Sequence, residues 1–372
     1  MKRVTILHPW LPQYRVPFFA ALVDRMATQG VEITVAHGAP PSDVRDRQDS
    51  RRVDWATEVP SHRIPGSASL VWQSLDGLGA GRDLLILEQA LRNLELYPWL
   101  VAGLVRRPRV ALWGHGRTYT KQHSAAERRA KTLLTNRAHW FFAYTEGGAE
   151  FVRAQGFPQQ RITVVQNALD TQSLRRDMSG VSEEDWKSTR LRLGLPDRYA
   201  LYLGGLDGSK RLDLLVSACD RVADQVDDFR LVVAGAGPLA AQMRAWSSQR
   251  PWLVPVGPVF GKDKATVASG AVALVNPGRV GLVAVDSFAM GLPLVTCRWP
   301  YHAPEFEYLD NNVNAIITED GEMELAQGVV RVWTDALLRQ RLSSHAWHDG
   351  ERYTLAAMVD RFAEGVHRAL AA

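Results

Sequence analysis

Residues 199–238 read YALYLGGLDGSKRLDLLVSACDRVADQVDDFRLVVAGAGP. Two short aliphatic runs, Tyr199–Leu203 and Leu231–Ala234, each end in a glycine-bearing turn and are each followed by a helical or loop segment. Short β-branched or aliphatic runs that alternate with longer helical patterns are the mark of parallel sheets covered by helices, so the class is α/β. The rhythm continues downstream through Leu253–Val256, Val272–Val275 and Leu294–Thr296. Upstream it appears at Val4–Leu7, Ile33–Ala36, Leu84–Leu87, Val110–Trp113, Trp140–Ala143 and Ile162–Val165. A helix is predicted over Pro17–Gln29, with Phe18, Ala21, Leu22 and Met26 on one stripe and Gly30 closing it. Two doubly wound units result. Between them Asn167 to about Arg198 is polar and reads as a connection followed by a surface helix, which places the boundary near Asp170. The expected domains are 1–170 and 171–352. The last segment, Tyr353–Leu370, is predicted helical, with Leu355, Met358, Val359, Phe362 and Val366 on a face that must pack on something.

The chain has 372 residues, 46% hydrophobic and 23% charged, which fits two globular domains and excludes disorder or a small disulfide scaffold. Its two cysteines, Cys219 and Cys297, form no framework, and their scarcity fits a reducing cytosol. Forty-four Lys and Arg against 40 Asp and Glu leave +4, too small and too dispersed for a dedicated nucleic-acid binder. The first apolar run, Val4 to Leu7, is interrupted by His8 and Pro9, so no secretion signal is expected. No apolar run approaches the roughly 20 residues that cross a bilayer.

In open α/β sheets ligands bind at the carboxyl ends of strands, where loops meet helix starts. Five such loops stand out. Gly204-Gly205-Leu206-Asp207-Gly208-Ser209-Lys210-Arg211 is a glycine-rich turn ending in two cations, suited to phosphate oxygens or, equally, a solvated turn. Gly235-Ala236-Gly237-Pro238 tempts toward a dinucleotide site, but no acidic residue follows at Val254–Pro258, and a tight strand-to-helix turn fits better. Asn276–Val283 runs into a helix carrying Asp286, a carboxylate suited to a ribose diol or to the helix dipole alone. Trp113-Gly114-His115-Gly116 offers a histidine that can bond substrate or serve the fold. His8–Pro17, with Tyr14 and Arg15, is a rigid aromatic and cationic loop that suits an acceptor pocket or interdomain packing.

In order along nearly the whole chain, these segments resemble the retaining glycosyltransferases of family 4, whose GT-B fold has two facing Rossmann-like domains with a cleft between them. Leu11 to Arg15 is similar to the Leu-Pro-x-Tyr-Arg of one branch. Gly156, Pro158, Ile162, Val164, Asn167 and Asp170 match the end of the family's first domain, and Gly204-Gly205-Leu206…Lys210 the opening of its second. The resemblance implies that Lys210 lies on the donor diphosphate. The companion arginine is Gly205 here, and Arg211 stands ready to supply the missing charge. The paired glutamates of the family fall on Gly278 and Asp286, of which only Asp286 keeps a carboxylate. The amides of Val280, Gly281 and Leu282 are expected to meet sugar hydroxyls, with Arg279 beside them. His115 falls on the family's cleft histidine, Val259 on the position that reads the base, and Tyr14 and Arg15 on the acceptor side. Residues of about 353–372 resemble the terminal helix that crosses back to the first domain.

The resemblance further implies transfer of a sugar from a nucleoside diphosphate sugar to a hydroxyl acceptor with retention. The donor is a co-substrate, and neither cofactor nor metal is expected, since the chain has no Asp-x-Asp motif. Leu91–Arg107, apolar with a Trp and a basic end, reads either as a core helix or as a peripheral contact with the inner face of a membrane that presents a lipid-linked acceptor. Arg128, Arg129 and Lys131 read as a solvated helix face. Two other readings stay open: a catalytically silent nucleotide-sugar-binding subunit, because Gly205 and Gly278 replace two family residues, and a GT-B epimerase.

Overall fold

The computed structural model describes residues 1–40, 52–64, 70–105, 108–117, 119 and 124–372. The chain divides into two units, Met1–Asn167 with Leu355–Ala372, and Ala168–Thr354, so the backbone passes between them at two places.

The first unit is built on strands β1 (Lys2–His8), β2 (Val31–His37), β3 (Thr57–Glu58), β6 (Leu84–Glu88), β7 (Arg109–Gly114), β8 (Trp140–Ala143) and β9 (Ile162–Val164). Their order is β3-β2-β1-β6-β7-β8-β9, every neighbouring pair parallel. β4 (Ser61–Arg63) and β5 (Val71–Gln73) form a separate antiparallel pair. Helices α1 (Val16–Ala27), α2 (Leu96–Gly103), α3 (Ala125–Asn136) and α4 (Glu146–Ala154) cover the sheet. β1 and β6 are buried on both faces, which is why they read as unbroken aliphatic runs rather than alternating ones. Strands β3 to β5 are two or three residues long and partly exposed, so no periodicity announces them.

The C-terminal helix Leu355–Ala371 lies in this unit and buries Met358, Val359, Phe362 and Val366. Phe362 stacks on Phe142 at 4.5 Å, and a Cβ at Gly365 would meet Phe142 at 2.6 Å, so the helix backbone rests directly on β8. His139 on Ala369, Arg368 on the Gln160 carbonyl and the Arg25–Asp360 ion pair hold its flanks.

The second unit has six parallel strands, β10 (Tyr199–Leu203), β11 (Leu231–Ala234), β12 (Leu253–Gly257), β13 (Ala271–Val275), β14 (Leu294–Cys297) and β15 (Ala315–Thr318), ordered β12-β11-β10-β13-β14-β15. The last of them, Ala-Ile-Ile-Thr, is an unanticipated strand paired residue by residue with β14. The polar stretch expected to be a connection followed by a surface helix folds as two helices, α5 (Thr171–Ser179) and α6 (Glu183–Leu193), within this unit. Asp170 caps α5 through the Ser173 amide, the Ser182–Asp185 capping box starts α6, and Gly194 ends α6 with φ 66°. Polarity marked the exposed faces of these helices, while Leu174 and Trp186 pack inward on the sheet.

Helices α7 (Leu212–Ala223), α8 (Ala240–Ser247), α9 (Gly261–Ser269), α10 (Val283–Met290), α11 (Glu322–Thr334) and α12 (Ala336–Asp349) complete the unit. α7 and α11 bury Leu215, Cys219, Leu325 and Val329 on one face of the sheet, while α10, buried at all its residues but the first, fills the other with α5 and α9.

Candidate active site

The loops at the carboxyl end of the second sheet are joined backbone to backbone. Leu206 donates its amide to the Ala236 carbonyl and receives the Leu239 amide on its own. A Cβ at Gly237 would lie 2.5 Å from the Leu206 carbonyl oxygen, and one at Gly235 would fall on the Gly204 carbonyl. The glycines of Gly235-Ala236-Gly237 therefore serve this close approach, the bland alternative to a dinucleotide site.

The same device explains the missing carboxylate. A Cβ at Gly278 would fall on the Lys210 backbone at Cα, C and O, so no side chain fits there. The Arg279 amide donates to the Ser209 carbonyl at 2.8 Å, and Lys210 Nζ donates to the Arg279 carbonyl at 2.6 Å. The turn 208–211 and the loop 277–282 thus form one rigid piece with Lys210 at its centre. Asp207 caps the turn by accepting from the Ser209 amide and hydroxyl.

Arg211 takes the left-handed conformation at φ 51°. Its Nη1 pairs with Asp320 at 2.7 Å, and its guanidinium lies 5.4 Å from the Trp299 ring. Arg211 is thus ion-paired with Asp320 across the two loops. Asp286, in the first turn of α10 and 9% exposed, accepts from Lys264 Nζ of α9 at 2.6 Å. Lys264 went unnoticed in the sequence because it lies 22 residues upstream, with no pattern linking the two. Val259 is buried among the apolar residues beside Phe260, which is half exposed.

The Val280 amide is also committed, which corrects its assignment to a ligand: it donates to His302 Nδ1 at 3.0 Å. His302 Nε2 faces the Cys297 carbonyl at 2.8 Å, so the ring is neutral with its proton on Nε2. Burial, seconded by the positive charges of Lys210 and Arg211, lowers its pKa to about 4. Its ring stacks on Phe306 at 4.1 Å, and Ala303 returns an amide bond to the Val280 carbonyl. His302 is thus a strut for the loop, 22 residues from the amide it holds and therefore beyond the reach of local spacing. The amides of Gly281 and Leu282, at the start of α10, make no hydrogen bond among the described residues. Gly204 spends its amide on Ala234, and Gly205 accepts from the Tyr202 hydroxyl.

In the first unit His115 follows β7 and stacks on Tyr144 at 4.5 Å, with Tyr119 edge-on at 5.9 Å. Its loop sits against α4: a Cβ at Gly116 would lie 2.5 Å from the Gly148 carbonyl oxygen, and one at Gly148 would lie 3.0 Å from the His115 carbonyl oxygen. Tyr14 is 37% exposed, whereas Arg15 is buried among rings. On α2, Leu96 and Leu100 face inward, while Val101 and, just after the helix, Leu104 and Val105 are exposed beside a hollow of about 570 Å³ lined by Tyr97, Pro98, Val101, Ala102 and Val105. Arg106 and Arg107, the expected basic end, lie outside the described residues. Among the described residues no helix is long and apolar enough to cross a membrane, and no group of three His, Cys, Asp or Glu is placed to hold a metal ion.

Residues 197–335 match the family described as Glycosyl transferases group 1. No curated protein matches the chain. Among solved structures, a glycosyltransferase from Rickettsia africae is similar over 100% of this chain and 98% of its own, with TM-score 0.74 and 11% identity. Anabaena HepE in complex with UDP and glucose is similar over 99% of this chain and 100% of its own, with TM-score 0.69 and 15% identity. A putative UDP-N-acetylglucosamine 2-epimerase from Listeria monocytogenes follows with TM-score 0.64 and 13% identity, over 98% of this chain and 96% of its own. The chain has the GT-B architecture of two Rossmann-like α/β units with parallel sheets, and the match to the glycosyl transferases group 1 lies within its second unit.

Proposed function

We propose that the protein transfers a sugar from a nucleoside diphosphate sugar to a hydroxyl acceptor with retention of configuration, in the synthesis of a glycan, a polysaccharide or a glycosylated metabolite. The observation that carries the reading is the rigid piece made by the turn 208–211 and the loop 277–282, with the Lys210 ammonium beside the start of α10. A departing diphosphate meets there a cation and the unspent amides of Gly281 and Leu282, preorganised before reaction. Asp286 takes the ribose diol while Lys264 holds its carboxylate in place. Arg279 lies next to the sugar, and Val259 offers backbone to the base. Arg211 orients the turn through Asp320.

The leaving phosphate accepts the acceptor proton on the same face of the sugar, so no metal and no separate base enter the scheme. His115 bonds the sugar or the acceptor from the first unit, and Tyr14 and Arg15 line the acceptor side. The protein acts in the cytoplasm. The exposed Val101, Leu104 and Val105 support peripheral contact with a membrane that presents a lipid-linked acceptor.

A panel of uridine and guanosine diphosphate sugars, followed by nucleotide release with and without acceptor, tests the reading. Acceptor-dependent release is expected. Donor binding without release would identify a silent partner subunit, for which the side-chain-free position at Gly278 speaks. An altered sugar without any acceptor would identify an epimerase.

A further inference from the structure

Arg15 is 2% exposed, yet among the described residues no carboxylate pairs with it. Its side chain makes one hydrogen bond there, from Nη1 to the Met358 sulfur at 3.7 Å, and its Nε is buried without a partner. The rings of Tyr14, Phe18, Trp113 and Tyr144 surround the guanidinium at 5.3, 5.9, 5.2 and 5.4 Å. An arginine stays charged at any physiological pH, and burying it without a counter-charge is costly. Ring faces and a thioether soften that cost, but they leave its in-plane N–H groups without strong acceptors.

Trp113, 3% exposed and in ring contact with Arg15, has its indole Nε1 buried without a partner as well. Buried donors are almost always satisfied, so two unsatisfied donors on touching side chains mark the place of an absent acceptor. His8 does not supply it: its Nδ1 faces the Trp10 carbonyl at 2.5 Å, and its ring carries no negative charge.

We propose that Arg15 and Trp113 form an oxyanion subsite in the first unit, and that the acceptor carries a phosphate or carboxylate group that docks there. The inference rests on the assignment of this unit to the acceptor. The planar guanidinium fork suits a two-pronged bond to either group, with the indole N–H as a third donor. Tyr144 lies against both Arg15, at 5.4 Å, and His115, at 4.5 Å, so the anionic group binds one ring away from the histidine.

The test uses the full chain with nitrogen-15-labelled tryptophan, titrated with sodium phosphate and with sodium acetate, and with sodium chloride at matched ionic strength. The Trp113 indole resonance is assigned from Trp113→Phe. A saturable movement of that resonance with phosphate or acetate, absent with chloride, is expected, and the tighter of the two names the group. Arg15→Met, checked for folding by circular dichroism, is expected to weaken this binding about tenfold. A Trp113 resonance that phosphate and acetate move no more than chloride overturns the proposal, and this wild-type measurement decides it even if Arg15→Met fails to fold. A separate titration with UDP reads the second unit: absence of UDP binding overturns the transfer reading while leaving the anion result standing. UDP binding without any anion response at Trp113 overturns the subsite alone.

Discussion

At the residue scale, the proposed transfer turns on Lys210. It anchors the loop through the Arg279 carbonyl, and in the proposed function its charge meets the departing diphosphate. Lys210→Ala should lower turnover on the order of 100-fold or more, as loss of a preorganised electrostatic contact does, with the circular dichroism spectrum unchanged. Nucleotide release measures it, and unchanged turnover would end the phosphate assignment. Gly278 tests the packing beneath. In Gly278→Ala the new methyl meets the Lys210 backbone, which cannot swing aside as a side chain does. A loss of about 1–3 kcal/mol is expected in urea unfolding of the second unit, and an unaltered midpoint would refute the close approach. His302 adds a pH signature. Its folded pKa, about 4, lies below the ordinary 6.5, so the stability it contributes is complete above 6.5 and is lost as pH falls through about 4. Its contribution reaches at most about 3 kcal/mol. His302→Gln should flatten the acid limb of stability against pH between those two values. Equal limbs in both proteins would show that His302 is not the titrating strut.

At the element scale, two helix starts meet through Lys264 of α9 and Asp286 of α10. Both groups are largely buried, so removing one strands the other, at roughly 3–5 kcal/mol, while removing both costs less. A double-mutant cycle of Lys264→Met and Asp286→Asn should therefore show a coupling of more than about 1 kcal/mol. Strictly additive losses would mean that the pair does not hold the two helices. The strand-and-helix alternation was legible because buried parallel strands need unbroken aliphatic runs and their covering helices a stripe. β3, β4 and β5 were not, since strands of two or three residues have no period to detect.

For the whole molecule, the chain's last helix belongs to the unit that its first strand founds. Phe362 is fully buried and stacks on Phe142, so Phe362→Ala should cost the first unit about 3–5 kcal/mol. With two units, unfolding need not be a single transition. Calorimetry should show the loss in the first unit's transition, with that of Ala168–Thr354 unmoved; a uniform shift would mean that the two units unfold as one.

The sequence by itself determined the α/β class, the two Rossmann-like halves and the amphipathic last helix. These follow from periodicity and from turn residues, which act over a few neighbours. Only the tertiary structure decided that Gly278 faces the Lys210 backbone, that Arg211 is paired with Asp320, and that Val280 gives its amide to His302. Each of these joins groups from separate loops or strands, so long-range packing rather than local spacing sets the partner.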